Sequence, residues 1–263
     1  MIVSLIITTY NRPDALERIL DSILIQKVFP DEVVFADDGS QIETKKIIAR
    51  FSNQTKIKVT HSWQEDKGFR VARSRNKAIA ASLGDYIILV DGDMILHKDF
   101  IDDHIKNSET GFFLQGGRVL LSKKLTKKVL MQNHAKFHPL TRGLHNRKNM
   151  FYSNFLCSLT SSKNFDLKGI KTCNMSFFKK DFLKVNGFNN LFEGWGKEDS
   201  EFVIRLFNAG IKRKNIRFNA IQFHLWHKEN TRQSLTQNTE LLNKAIKSKL
   251  RRCEDGVNRF IKN

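Results

Sequence analysis

The sequence predicts an α/β protein built on a doubly wound, mostly parallel sheet. Three observations predict it. Short apolar runs rich in β-branched residues alternate with segments of helical period across the first hundred residues. The run from Tyr86 to Val90 is apolar at every position, as a strand covered on both faces requires. Aspartate-rich turns close the second and fourth apolar runs, at the carboxyl ends where such sheets bind ligands.

The elements follow in order. Val3 to Thr9 reads as the first strand. Pro13 suits a helix start, and Leu16, Ile19, Leu20, Ile23 and Leu24 then recur at helical spacing. Val33 to Ala36 is the second strand, ended by Asp37-Asp38-Gly39-Ser40. Thr44 to Phe51 is helical, and Ile57 to Trp63 is the third strand. Val71 to Leu83 is helical, with Gly84 suited to the position just past its end. After Tyr86 to Val90 the period blurs. Phe112 to Leu121 suggests one strand, and residues 122–165 suggest long loops. Thr172 to Leu183 opens a second compact region, and Asp199 to Ala209 is a helix closed by Gly210.

The chain of 263 residues, 40% apolar, supports one large domain with a real core. Its formal charge of +18 is unevenly spread. No acid lies between Thr110 and Phe165, a stretch holding Arg118, Lys123, Lys124, Lys127, Lys128, Lys136, Arg142, Arg147, Lys148 and Lys163. Lys244, Lys247, Lys249, Arg251 and Arg252 form a second basic stretch, read either as an amphipathic membrane-facing helix over 244–252 or as a plain surface helix. Such surfaces attract polyanions: nucleic acid, anionic lipid headgroups or phosphorylated glycans. No nucleic-acid-binding signature is present, so no nucleic-acid partner is expected. No apolar run reaches the roughly 18–20 residues of a membrane span. The first residues do not read as a signal peptide. Cys157, Cys173 and Cys253 have no metal spacing and read as free thiols in a reducing cytoplasm.

Several clusters carry chemistry. Asp91-Gly92-Asp93 places two carboxylates at a strand end, and hard oxygen ligands suit Mg²⁺ or Mn²⁺ on a diphosphate. Thr9, Tyr10, Asn11 and Arg12 follow the first strand, and Asp38 follows the second, where a carboxylate could accept from a nucleobase or ribose. Lys67-Gly68-Phe69-Arg70, then Arg73, Arg75 and Asn76, bring cations to a helix start, where a diphosphate is favoured. Each motif alone has a plainer reading as turn or surface.

In this order, ITTYNRP, DDGS, KGFRVARSRN and VDGDM resemble a family-2 glycosyltransferase of the GT-A fold. TCNMSFFKKDFLKVNGFNNLFEGWGKEDSEFVIRLFNAG resembles the C-terminal part of galactosyltransferase-type and chondroitin-polymerase-type enzymes. Their Gly-Trp-Gly-Gly-Glu-Asp hallmark is here Gly194-Trp195-Gly196-Lys197-Glu198-Asp199, with Lys197 in place of a glycine. The resemblance covers roughly residues 2–105 and 170–230.

The resemblance implies a nucleotide-sugar half over residues 1–105, an acceptor-binding and catalytic half over 106–232, and a basic helical tail over 233–263. It implies Asp199 as general base, with Glu198 and Trp195 shaping the sugar pocket. Asp93, with Asp91 through water, and a histidine, His224 before His227, would hold Mn²⁺ or Mg²⁺. Thr9, Tyr10, Asn11, Arg12, Asp38, Lys67 and Arg70 would surround the UDP-sugar donor. The acceptor would be a glycan or lipid-linked saccharide of cell-envelope polysaccharide, lipopolysaccharide or capsule. The enzyme would be cytoplasmic, in peripheral contact with the anionic inner membrane face. The rival is a basic polyanion- or membrane-binding module without catalysis, which explains the charge but not the acids. A sugar-nucleotide pyrophosphorylase would need a glycine-rich loop after the first strand, and Thr8 to Arg12 contains no glycine.

Overall fold

The computed structural model describes residues 1–132, 136–228 and 231–261. Its first half follows the expected alternation. The elements are β1 (Val3–Thr9), α1 (Pro13–Leu24), β2 (Glu32–Asp37), α2 (Ile42–Gln54), β3 (Lys58–Trp63), α3 (Val71–Ala81) and β4 (Tyr86–Asp91). These strands are mutually parallel in the order β3-β2-β1-β4. Register sets Thr9 beside Asp37 and Thr8 beside Asp91, so three carboxyl ends finish at one level. Alternation along β1 divides the core. Val3, Leu5 and Ile7 pack with α1 and α2, while Ile6 packs with α3 on the opposite face.

The second half contains β5 (Met94–Leu96), α4 (Phe100–Asn107), β6 (Phe112–Gln115), β7 (Val119–Leu121), α5 (Lys123–Leu130), β8 (Leu144–His145), α6 (Asn154–Thr160) and β9 (Ser162–Asn164). β10 (Asn174–Phe178), α7 (Lys179–Lys184), α8 (Glu198–Asn208), β11 (Lys212–Asn215), β12 (Gln222–His224) and α9 (Leu235–Lys247) follow. β10 joins β4 antiparallel, then β6, β11 and β9 extend the large sheet. β5, β12, β7 and β8 form a small second sheet.

Four expectations are corrected. Phe112 to Leu121 is two strands in two sheets, because the chain breaks at Gly116-Gly117. A Cβ at Gly116 would lie 2.4 Å from the Asn174 amide. Residues 122–165 are not simply long loops. Ser122 and Ser153 accept from the Leu125 and Leu156 backbone N–H groups and start α5 and α6. Gly84 is not a left-handed helix cap. It is small because a Cβ there would meet the Ser4 hydroxyl at 2.1 Å. No helix spans 244–252: α9 ends at Lys247, and the chain then turns to bury Cys253. Residues 262–263 of the basic tail lie outside the described residues. No helix among the described residues is long and apolar enough to cross a membrane.

A buried polar chain joins the two sheets. Tyr86 and Ser176 share a hydrogen bond of 2.7 Å, and Ser176 meets His104 Nδ1 at 2.7 Å. His104 Nε2 donates to Asn174 Oδ1 at 3.0 Å, and the Asn174 amide donates to the Gly117 and Ala220 carbonyls. Burial of the ring favours the neutral imidazole in this chain. Next to it, Asp103 accepts from the Ala220 N–H, the Asn219 amide and the Tyr152 hydroxyl. These bonds hold Phe218 and Ala220 in left-handed backbone, with φ of 63° and 48°, just before β12.

Burial pushes His104 down to about 4. Its neutral form therefore contributes stability at pH 7 that is lost as pH falls from about 6.5 toward 4, some ~3 kcal/mol. Asp103, raised to about 6 by burial, tilts stability oppositely over part of that range. The difference between wild type and His104→Gln isolates the histidine. Urea unfolding at pH 7 and pH 4.5 should show the variant less stable at pH 7 and its deficit shrinking in acid.

Candidate active site

Arg75, on α3 and 4% exposed, ties the site together. Its Nε donates to Thr8 Oγ1 at 3.1 Å, Nη2 to Asp91 Oδ1 at 3.2 Å and Nη1 to Glu198 Oε1 at 3.3 Å. The ends of β1 and β4 and the start of α8 thus meet on one guanidinium. This corrects the sequence reading of the Arg73/Arg75 pair. Arg75 is occupied by protein carboxylates, and Arg73 packs over the Phe260 ring. Gly92 also serves the backbone: its N–H donates to Thr8 O at 2.7 Å, and a Cβ would meet that oxygen at 3.0 Å.

Asp93, His224 and His227 converge. Asp93 Oδ2 lies 3.4 Å from His224 Nε2 and 3.3 Å from His227 Nε2. One donor atom from each lies within 4.8 Å of the others, the one such group of three among the described residues. The backbone builds this. Met94 registers with His224 across β5 and β12, and Leu225 N–H donates to Asp93 O at 2.9 Å. His227 Nδ1–H donates to the Lys228 carbonyl at 2.8 Å, which turns Nε2 toward Asp93. Asp93 Oδ1 is buried without a hydrogen-bond partner. Burial pushes Asp93 up, but the His224 hydrogen bond and the charges of His224 and His227 outweigh it and hold the carboxyl low. Two imidazoles and a carboxylate with one orphaned buried oxygen fit a divalent cation of the Mn²⁺ type. Asp91, expected beside Asp93, is not in this cluster, because its carboxylate faces Arg75.

The loops after β1, β2 and β3 pack into one wall. Asp38 Oδ1 accepts from the Gln64 amide and Oδ2 from the Arg70 N–H, each at 2.6 Å. Burial raises its pKa despite those bonds. Each oxygen keeps one further accepting position. Gly39, at φ 102°, lets Asp66 approach: a Cβ would fall 2.5 Å from its Cα. Tyr10 donates to Asp66 at 2.9 Å, and Asn11, at φ 46°, bonds to both Ser40 and Gln41. Thr9 Oγ1 is buried and unpartnered. Arg12 pairs with Asp14, and exposed Lys67 with Glu65. The Arg70 guanidinium donates to the Glu65 carbonyl.

The Gly-Trp-Gly segment enters α8 through a tight turn. Gly194, at φ 71°, donates to Phe69 O at 2.8 Å, and a Cβ there would strike the Ser234 hydroxyl. Trp195 is 41% exposed, with the Arg232 guanidinium 5.5 Å over its ring. Lys197 stands in left-handed backbone, φ 76° and ψ −10°, the region that favours glycine. Asp199 accepts from the Ser200 N–H at 2.6 Å and hydroxyl at 3.2 Å. Burial, then the neighbouring Glu198 carboxylate, push Asp199 up to about 7. A carboxylate so tuned is suited to accept a proton near neutrality.

Two cations were missed as site residues. Arg118 precedes β7 with Nη1 3.8 Å from Cys173 Sγ, and Cys173 precedes Asn174, which registers with Val90. Arg118 therefore sits at the same sheet end as Asp91. Lys171, whose pKa is lowered by burial and by Arg118, feels the charge of Asp199. The signal was Gly116-Gly117-Arg118 directly after an apolar strand, read only as part of a basic stretch.

Residues 4–185 match the model of glycosyl transferase family 2. The chain belongs to this family. Residues 154–228 of this family 2 chain also match the model described as the N-terminal domain of galactosyltransferase. It is 28% identical to the hyaluronan synthase of Pasteurella multocida over 232 residues, 81% of this chain and 23% of the synthase. It is 25% identical to validoxylamine A glucosyltransferase of Streptomyces hygroscopicus subsp. limoneus, over 80% of this chain and 49% of that protein. The chain thus spans between about a quarter and a half of these relatives. A mannosyltransferase from Pyrobaculum calidifontis, solved with GDP-Man and Mn²⁺, superposes with TM-score 0.57 at 18% identity, covering 87% of this chain and 58% of that one. TarS 1–349 of S. aureus, solved with UDP-GlcNAc, gives 0.58 at 19% identity, covering 87% and 60%. These likenesses establish the GT-A fold for the family 2 chain.

Restoring the glycine that Lys197 replaces relieves left-handed strain. Lys197→Gly should raise unfolding free energy by about 0.5–1 kcal/mol, since αL strain of about 1–2 kcal/mol exceeds the entropy cost of glycine. Urea denaturation measures it, and an unchanged or lowered midpoint would refute the strain.

Proposed function

We propose that this protein is an inverting, metal-dependent glycosyltransferase. It moves a hexose or N-acetylhexosamine from a UDP-sugar to a glycan or lipid-linked acceptor in cell-envelope polysaccharide synthesis. The observation that carries this reading is the placement of two unlike acidic centres at one sheet end. Asp93 with His224 and His227 is a low-pKa cluster fit for a cation, and Asp199 is a carboxylate near neutrality.

The uridine is placed on the wall of Thr9, Tyr10, Asn11 and Asp38. Thr9 Oγ1 and the spare accepting positions of Asp38 are available to it. Arg12 lies near enough to Asp93 to lower its pKa, and with Arg70 it faces the diphosphate. When bound by Asp93, His224 and His227, a divalent ion supplies positive charge to the leaving diphosphate. Trp195 offers a ring face to the transferred sugar. Asp199 takes the proton of the acceptor hydroxyl. That oxygen bonds to the anomeric carbon as the carbon–phosphate oxygen bond breaks on the opposite side. The electron pair leaves with UDP, and the configuration inverts. Glu198, held by Arg75, shapes the sugar pocket, and its charge raises the Asp199 pKa. The +18 charge supports a peripheral position at the anionic inner membrane face.

Titration calorimetry with a panel of nucleotide sugars should find one UDP-sugar bound in Mn²⁺ or Mg²⁺ and lost in EDTA. Asp93→Ala should weaken that binding by at least about tenfold. No nucleotide binding under any metal would overturn the transferase reading in favour of a polyanion-binding module. In the pH profile, transfer should rise with pH through about 7 as Asp199 loses its proton. Asp199→Asn should lower the rate by about 10²–10⁴ while nucleotide-sugar binding persists. A profile flat from pH 5.5 to 8.5 would remove Asp199 from the base role.

A further inference from the structure

The short helix α6 is inside out. Its sequence, Asn-Phe-Leu-Cys-Ser-Leu-Thr, buries one residue, Cys157. Phe155 is 70% exposed, Leu159 66% and Leu156 39%. At 100° per residue these three span one face, and Cys157 points away from it. Phe151, at 52%, extends the ridge toward the preceding turn. A helix that hides a thiol and displays a phenylalanine and two leucines is not stabilised by its own apolar face in water. Clustered exposed apolar side chains of this kind mark a binding surface.

The surroundings select the occupant. Exposed Arg147 and Lys148 precede the ridge, and exposed Arg217 adjoins Phe218, whose carbonyl accepts from the Ser153 N–H at the start of α6. Of the neighbouring acids, Glu109 is neutralised by Lys163 and Lys214, Asp102 pairs with Lys106, Asp103 is buried beneath the Tyr152 hydroxyl and the Asn219 amide, and Asp166 is exposed beside Lys168. The ridge therefore stands in a positive field. A second copy of this chain would bring the same cations against it. An anionic lipid surface offers both missing partners: acyl chains for Phe155 and Leu159, and headgroup charge for the arginines and lysine.

We propose that α6 with Phe151, Phe155, Leu156 and Leu159 is the membrane-docking element, flanked by Arg147, Lys148 and Arg217 as headgroup contacts. This rests on the membrane contact proposed above and gives it a surface different from the basic stretch 244–252. The docking surface is fastened to the site. Asn154 accepts from Asn219 at 2.8 Å, in the turn that leads into β12 and His224. A lipid-linked acceptor held at the bilayer would thus arrive beside the strand that ends in His224.

The test is sedimentation with vesicles of phosphatidylcholine alone and with phosphatidylglycerol added. Wild type should bind the anionic vesicles and not the neutral ones. Phe155→Ser with Leu159→Ser should weaken binding by about tenfold or more, and Phe155→Trp should give added emission that shifts to the blue on binding. Equal binding by wild type and the double variant would overturn the α6 surface while leaving membrane contact intact. No binding by wild type would overturn both. A wild-type dimer dissociated by the double variant would assign the ridge to a second copy instead. UDP-sugar binding, measured on the same double variant, should be unchanged, so failure of docking is distinguishable from failure of the transferase reading.

Discussion

The site depends on one buried cation. Arg75 reaches Thr8, Asp91 and Glu198 from α3, and so it sets where β1, β4 and α8 stand relative to one another. Two carboxylates near a sheet end repel each other and would splay these elements apart. The guanidinium offers its donors in a rigid fork, and that geometry suits three acceptors from three elements better than a lysine could. The proposed chemistry needs Asp199 near an anomeric carbon whose leaving group lies over Asp93. The distance between those two residues is inherited from the Arg75 contacts.

A second constraint is polar and deeper. The chain from Tyr86 through Ser176, His104 and Asn174 reaches the carbonyls of Gly117 and Ala220. Those carbonyls belong to two of the crossings from the large sheet to the small one, β6 to β7 and β11 to β12. Buried networks of this kind specify one arrangement when every member is satisfied. Asp103 adds the bonds that keep a left-handed turn ahead of β12. The small sheet is thus positioned by hydrogen bonds at its roots as much as by its apolar cluster around Val119, Leu121 and Phe223.

The first half of the fold was legible because its signals are local. Continuous apolar runs, helical repeats and aspartate turns each depend on neighbours in sequence. The β1 to β4 order and the common level of Thr9, Asp38 and Asp91 followed from that. The second half was not legible, since its strands are short and pair across long separations. Nothing near Phe112 announces that the chain changes sheets at Gly116; the reason is the Asn174 side chain, contributed from β10. At the site, His224, His227 and Asp93 were found through a family pattern, and the structure brings them together. The partner of Asp91 was missed because an arginine on a helix looks the same in sequence whether it faces a ligand or a carboxylate. Lys197 was noted as a departure from a glycine pattern, and its backbone keeps the glycine conformation all the same.

The three residues of the Asp93 cluster are not held in the same way. Asp93 and His224 lie at the ends of paired strands, knit by backbone bonds on either side. Their backbones cannot separate unless the rungs between β5 and β12 break. His227 lies beyond the end of β12, is 35% exposed, and is steadied by one bond to the next carbonyl. Two of the three donors are therefore anchored by the backbone of the small sheet, and the third by the short segment that follows β12. Destabilising the small sheet would disperse the cluster, so the integrity of this corner is coupled to the stability of the fold itself.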